Sequence, residues 1–201
     1  MYERTFSGKE EQYLIKRAKE CDPSAFAALY ERYHQDIYNY IYYRTASEPV
    51  AEDLTSDVFL KALESIDSFT FRGIPFSAWL FRIAKNMMSE YFRGKAKTIE
   101  TTFEEETLPS EGQADDALEA KLTQQRLARA IGDLTEDQQQ VIVLKFVDGF
   151  SNTDIAQILD KSEGAIKSLQ HRALGALNRI WQEIYPEEDQ DLMIVGRGLR
   201  Q

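Results

Sequence analysis

Apolar residues in this chain recur at spacings of three and four and never settle into sustained alternation, which restricts the fold to packed helices. Phe26, Leu29, Tyr30, Tyr33, Ile37 and Ile41 form one such stripe. It opens on Asp22, a capping residue, followed by Pro23, whose fixed φ suits a first helical position. A second stripe, Val50, Leu54, Val58 and Ala62, follows Ser47-Glu48-Pro49. A loop from Phe69 to Ser77, interrupted by Gly73 and Pro75, precedes a third made of Ala78, Trp79, Phe81, Ile83, Ala84 and Met87.

The periodicity then stops. Between Thr98 and Leu118 the charged residues are Glu100, Glu104, Glu105, Glu106, Glu111, Asp115 and Asp116, with no Lys or Arg, and Pro109 and Gly112 break any helix. Leu118, Leu122, Leu127, Ala130 and Ile131 restart the helical pattern, and Thr135 with Gln138 makes a capping-box pair before Val141, Ile142, Leu144 and Phe146. The expected fold is all-α: two small helical domains joined by an acidic flexible linker. The divisions are an N-terminal segment over 1–21, a first lobe over 22–97, the linker over 98–117, a second lobe over 118–183 and a tail over 184–201. That tail, with its apolar patch Leu192-Met193-Ile194-Val195, reads as frayed chain, with a short docking segment as the alternative.

Bulk properties exclude several function classes. No apolar run approaches the roughly 18 residues of a membrane span, and the N-terminus lacks the features of a secretory signal, so a cytoplasmic protein without membrane insertion is expected. One cysteine, Cys21, and two histidines, His34 and His171, do not supply a usual metal set. Neither a phosphate-cradling glycine loop nor a nucleophile motif is present, so no enzyme, metal or cofactor is expected. The formal net charge of -10 opposes binding to a polyanion, and any nucleic-acid contact must come from local reversals of charge.

One candidate lies in the second lobe. Ser151-Asn152-Thr153-Asp154 can cap a short helix bearing Ile155, Ala156, Ile158 and Leu159; Asp160-Lys161 makes a tight turn; Ser162 can cap a longer helix with Ile166, Leu169, Ala173 and Leu177. On the solvent side this second helix offers Ser162, Glu163, Gly164, Lys167, Ser168, His171 and Arg172, groups suited to phosphates and base edges in a major groove. A plain helical hairpin is the competing reading of the motif in isolation. The run Ser162-Glu163-Gly164-Ala165-Ile166-Lys167-Ser168-Leu169-Gln170-His171-Arg172-Ala173 closely resembles the recognition-helix segment of extracytoplasmic-function sigma factors, members of the sigma-70 family of RNA polymerase sigma factors. Leu134-Thr135-Glu136-Asp137-Gln138 resembles the start of the same region. Where the family often has a glycine in the turn this chain has Asp160, and Asp tolerates left-handed geometry better than most residues.

The first lobe carries the more discriminating resemblance. Ala51-Glu52-Asp53-Leu54-Thr55-Ser56-Asp57-Val58-Phe59-Leu60-Lys61-Ala62 looks like the family's polymerase-binding helix. Asp53 and Asp57, one turn apart, place two carboxylates on one face, and Lys61 continues the row; alone, such a face would simply be solvated. The resemblance implies that Asp53, Leu54, Asp57, Val58, Phe59 and Lys61 dock on core RNA polymerase. Next comes a basic strip, Arg72, Arg82, Lys85, Arg93, Lys95 and Lys97 against the single acid Glu90, interleaved with Phe69, Phe71, Phe76, Trp79, Phe81, Tyr91 and Phe92. Cations alternating with aromatics suit a single-stranded backbone and its bases, although Trp79 and Phe81 read first as core residues.

By resemblance this strip reads the melted downstream (-10) promoter element through Phe71, Arg72, Phe76, Arg82, Lys85, Asn86, Ser89 and Arg93, while the helix-turn-helix reads the upstream (-35) element as duplex. The implied partners are core polymerase and promoter DNA, with an anti-sigma factor as a further partner the family admits. The alternative is a polymerase-independent helix-turn-helix regulator whose first lobe senses a ligand or dimerises.

Overall fold

Asp22 starts the first long helix as its chemistry dictates: the carboxylate accepts from the Ser24 N–H at 3.0 Å and the Ser24 hydroxyl at 2.7 Å. The Ser24 bonds hold its pKa below the ordinary carboxylate value. The computed structural model describes residues 8–70, 75–98 and 116–185. Every regular element among them is helical: α1 (Gly8–Lys19), α2 (Pro23–Thr45), α3 (Glu48–Ser65) with a 3₁₀ turn at Ile66–Ser68, α4 (Phe76–Thr98), α5 (Asp116–Gly132), α6 (Glu136–Ile142), α7 (Asn152–Leu159) and α8 (Glu163–Ile184). The all-α expectation holds. Helix α4 ends at Thr98 and α5 begins at Asp116, so the acidic segment between the lobes lies outside the described residues save for its ends.

Two elements go beyond the sequence reading. Helix α1 falls where only an N-terminal segment was expected; it buries Ile15 and Ala18. Its Glu11 accepts from the Tyr33 hydroxyl, and its Lys19 ammonium donates to the carbonyls of Asp67 at 3.2 Å and Phe69 at 2.5 Å. Helix α6 runs into a π-helical turn over Val143–Val147. That turn ends at Gly149, whose φ of 73° is reached without steric cost only by a residue lacking Cβ.

In the first lobe α2 packs against α1 and α3, and α3 against α4, around Leu29, Ile37, Ile41, Val58, Leu80 and Ala84. In the second lobe α8 packs against α5, α6 and α7 around Ile131, Val141, Ile142, Ile155 and Ile166. The lobes are not separate bodies tied by a tether: α5 lies along α2, and α7 lies along α4. Phe81 meets Phe150 edge-on at 5.3 Å across this junction, and Tyr40, fully buried, meets Phe81 edge-on at 5.2 Å.

Candidate nucleic-acid interface

The helix-turn-helix forms as its capping residues require. Ser151 and Asp154 cap α7 reciprocally, the Asp154 N–H donating to Ser151 Oγ at 3.1 Å and the Ser151 N–H to Asp154 Oδ2 at 3.2 Å. Asp160 ends α7 in the left-handed region at φ 55°, ψ 49°, a conformation that glycine adopts most easily and Asp better than most other residues. Ser162 starts α8, its Oγ accepting from the Ala165 N–H at 3.2 Å. Leu159, Ile166 and Leu169 are buried in the wedge between the two helices. Hydrogen bonds from Thr153 to Glu163 at 3.0 Å and from Gln170 to Asn152 at 2.9 Å lock the crossing from its rim.

That packing leaves Ser162, Glu163, Gly164, Lys167, Ser168, His171 and Arg172 all exposed on one side of the motif. Lys161, in the turn, is tied to Asp137 of α6 at 3.0 Å, which fixes the motif to the rest of its lobe.

On α4 the expected strip divides. Asn86, Ser89 and Arg93 are exposed, Lys85 is half-buried, and the Arg82 guanidinium donates to the Gln157 carbonyl of α7 at 3.3 Å. Phe76 corrects the expectation of an available aromatic. It is 1% exposed and packs among Phe69, Trp79 and Tyr33 at ring distances of 5.3 to 5.6 Å, because as the first residue of α4 it closes the lobe's core. Phe81 is buried, and Trp79 is half-buried against the core. Phe71 and Arg72 lie outside the described residues.

Helix α3 also divides between faces. Asp53, Asp57 and Lys61 form an exposed row, Leu54 is half-buried, and Lys61 pairs with Glu64 at 3.2 Å. Val58 and Phe59 are buried in the core, with Phe59 edge-on to Tyr30 of α2 at 4.7 Å, so neither is available to a partner in this conformation. Two leucines that periodicity did not single out, Leu60 and Leu63, stand 56% and 47% exposed beside the acidic row. Their solvent position is legible only once the helix's inner face is known.

Comparison with known proteins decides the family. Sigma-70 region 2 matches residues 29–98, covering most of α2 through the end of α4, and Sigma-70, region 4 matches residues 124–177, covering the helix-turn-helix. The chain is 38% identical over 169 residues to the ECF RNA polymerase sigma factor BldN of Streptomyces coelicolor, spanning 83% of this chain and 64% of BldN. It is 32% identical over 173 residues to the ECF RNA polymerase sigma factor SigX of Bacillus subtilis, spanning 83% of this chain and 88% of SigX. The chain belongs to the sigma-70 family, in its extracytoplasmic-function group. It is an alternative sigma factor, and it directs transcription initiation. The sigma factor RpoE of Bartonella quintana, solved in complex with the anti-sigma factor NepR, shares 25% identity with this chain over 82% of it and 98% of that chain, with a TM-score of 0.59.

Among the described residues of this sigma factor no helix is long and apolar enough to cross a membrane.

Proposed function

We propose that this sigma factor binds core RNA polymerase through the outer face of α3 and reads promoter DNA with α4 and α8. The first lobe, residues 22–97, supplies region 2: Asp53, Asp57 and Lys61 meet a basic-and-acidic partner surface, with Leu54 at its margin. Arg82, Lys85, Asn86, Ser89 and Arg93, with Phe71 and Arg72 in the preceding loop, engage the melted downstream element. The second lobe, residues 118–183, supplies region 4, and Ser162, Glu163, Gly164, Lys167, Ser168, His171 and Arg172 read the upstream element in the major groove. The protein acts in the cytoplasm on the polymerase it joins. Its chemistry is recognition and strand capture, with no catalytic residue of its own: a base taken out of the stack costs a few kcal/mol, and a site for the unpaired base returns it as binding.

The observation that carries this reading is the exposed acidic row on α3 standing in the same chain as an exposed helix-turn-helix face. A plain regulator has use for the second and none for the first. The complex of RpoE with NepR supports an anti-sigma factor as a further partner here.

The test is binding to sigma-free core polymerase. Reversing a charge pair that becomes desolvated in a complex costs at least about 2–5 kcal/mol. Asp53→Lys with Asp57→Lys should therefore weaken core binding by at least about 30-fold. Both side chains are solvent-exposed, so the unfolding temperature should stay near wild type. Unchanged core affinity in the folded double variant would remove α3 from the polymerase interface.

A further inference from the structure

None of the residues assigned above to polymerase or DNA lies on α1, yet α1 holds the segment that leads to two of them. Helix α3 passes into its 3₁₀ turn at Ile66–Ser68, and carbonyls at the end of a helical run have no intrahelical donor. Lys19, in the last turn of α1, supplies one from outside. Its ammonium donates to the Asp67 carbonyl at 3.2 Å and to the Phe69 carbonyl at 2.5 Å. A cation at the negative end of a helix is favoured by the dipole as well as by its hydrogen bonds. The Lys19 side chain is half-buried, which keeps the ammonium close to these two acceptors.

Beside Lys19 the space between α1 and the turn is an open cleft of about 400 Å³, lined by Gln12, Ile15, Lys16, Lys19 and Phe69. Hydrogen bonds rather than filled packing therefore tie α1 to the turn at this point. The buried Phe69 ring meets Phe76 and Trp79, in the first turn of α4, at 5.5 and 5.3 Å. Phe69 is thus held twice, its ring by α4 and its carbonyl by α1. Thr70 follows, exposed, and the next two residues in sequence are Phe71 and Arg72, so the chain toward them leaves from a fixed point.

A fixed point of departure matters for affinity. An unpaired strand is held by stacking and backbone contacts, and a reader that must order itself on binding loses the ordering cost from its affinity. Fixing the backbone of a single residue in advance corresponds to about tenfold.

We propose that Lys19 is a positioning residue for capture of the melted downstream element: by capping the Asp67 and Phe69 carbonyls it fixes the stem from which Phe71 and Arg72 meet the unpaired strand. The fixing of the stem stands on the geometry alone. Its use in reading DNA rests on the role proposed for Phe71 and Arg72.

Two measurements on the full-length chain separate these halves. A nitroxide at Thr70→Cys, in a Cys21→Ser background that removes the sequence's sole native thiol, reads the mobility of the stem. With Lys19 in place its spectrum should be slow and single. Lys19→Met keeps an unbranched apolar side chain, loses the donors and should add a fast component. Lys19→Arg keeps donors for both carbonyls, has room in the adjoining cleft and should restore the slow spectrum. Glu11→Ala removes the hydrogen bond between α1 and Tyr33 and controls for general weakening of the helix. It should lower the unfolding temperature and leave the Thr70 spectrum slow.

The second measurement uses holoenzyme with two probes taken from one protein-dependent transcription start mapped on genomic DNA: a single-stranded oligonucleotide of its downstream element and the duplex of its upstream element. Lys19→Met should bind the single strand about tenfold more weakly than wild type, while core polymerase and the duplex are bound equally well. Lys19→Arg should recover most of the loss.

A slow Thr70 spectrum in folded Lys19→Met overturns the fixing of the stem. A fast component with unchanged single-strand affinity overturns its use in reading DNA, as does an equal loss on single strand and duplex, the mark of a purely structural residue. Failure of the sigma reading is distinct: it appears as no protein-dependent starts, whatever the nitroxide reports.

Discussion

The same substitution, alanine to glycine, should act in opposite directions at two sites on α2. Ala46 caps the helix at φ 52°, ψ 25°, a left-handed conformation in which a residue with Cβ loses about 1–2 kcal/mol. Its N–H donates to the Tyr42 carbonyl at 2.8 Å, a bond glycine keeps, and its methyl is exposed, so little burial is lost. Against the relief stands the greater freedom of glycine in the unfolded chain, about 0.4–1 kcal/mol. The balance makes Ala46→Gly stabilising by about 0.5–1 kcal/mol. Ala27 is exposed on the same helix within its regular portion, and Ala27→Gly should cost about 0.5–1 kcal/mol. Thermal unfolding reads the pair directly: at about 2–4 °C per kcal/mol the two variants should straddle wild type and lie about 2–8 °C apart. Asp160 in the helix-turn-helix has the same left-handed geometry, but Asp tolerates it better, so Asp160→Gly should gain less than Ala46→Gly. Equal destabilisation by Ala46→Gly and Ala27→Gly would refute the left-handed end of α2, and with it the placement of Arg44 two residues earlier.

Further outcomes follow from the sites. Burial pushes the Tyr40 phenol up to about 12, against the lowering influence of Arg44. The folded value lies above the unfolded value of about 10, so this stabilising contribution is complete below about pH 10 and lost as pH rises through about 12. Burial also raises Tyr33 and Tyr42, so phenolate absorbance during alkaline titration should show a late-ionising group of tyrosines that loses one equivalent in Tyr40→Phe; a wild type whose tyrosines all ionise near pH 10 would contradict the burial. Lys167→Ala and Arg172→Ala should each weaken binding of holoenzyme to upstream-element duplex and reduce the slope of log affinity against log salt by about 1. Arg179→Ala, exposed on the same helix but farther along it, should leave the slope unchanged.

Much of the fold was legible because local chemistry and packing agree. Asp22-Pro23, Ser151 with Asp154, and Ser162 are capping residues that cap, and Asp160 takes the left-handed turn. Helix α1 was not legible, since its apolar stripe reduces to Leu14, Ile15 and Ala18 within a charged run, and its stability comes from contacts with α2 and the 3₁₀ turn that sequence spacing does not encode. Among site residues, periodicity placed the polar face of α8 and the inner stripes of α3 and α4, Val58 included, but the site assignment for Val58, Phe59 and Phe76 followed the family motif instead. Val58, Phe59 and Phe76 belong to family motifs, and motif membership does not distinguish a residue that touches a partner from one that supports the helix doing so. The junction residues were the least legible. Arg44 near a helix C-terminus reads as an ordinary exposed cation opposing the helix dipole, and its partners Glu136 and Gln139 lie some ninety positions away, beyond any local pattern.

The most direct test of the central claim is transcription from sigma-free core polymerase and fragmented genomic DNA of the source organism, with and without this protein, followed by mapping of transcript 5′ ends. A sigma factor predicts discrete protein-dependent starts that share two spaced upstream elements and vanish when Asp53 and Asp57 are reversed to Lys. No protein-dependent starts, with the protein folded and the core active with a control sigma factor, would contradict the account.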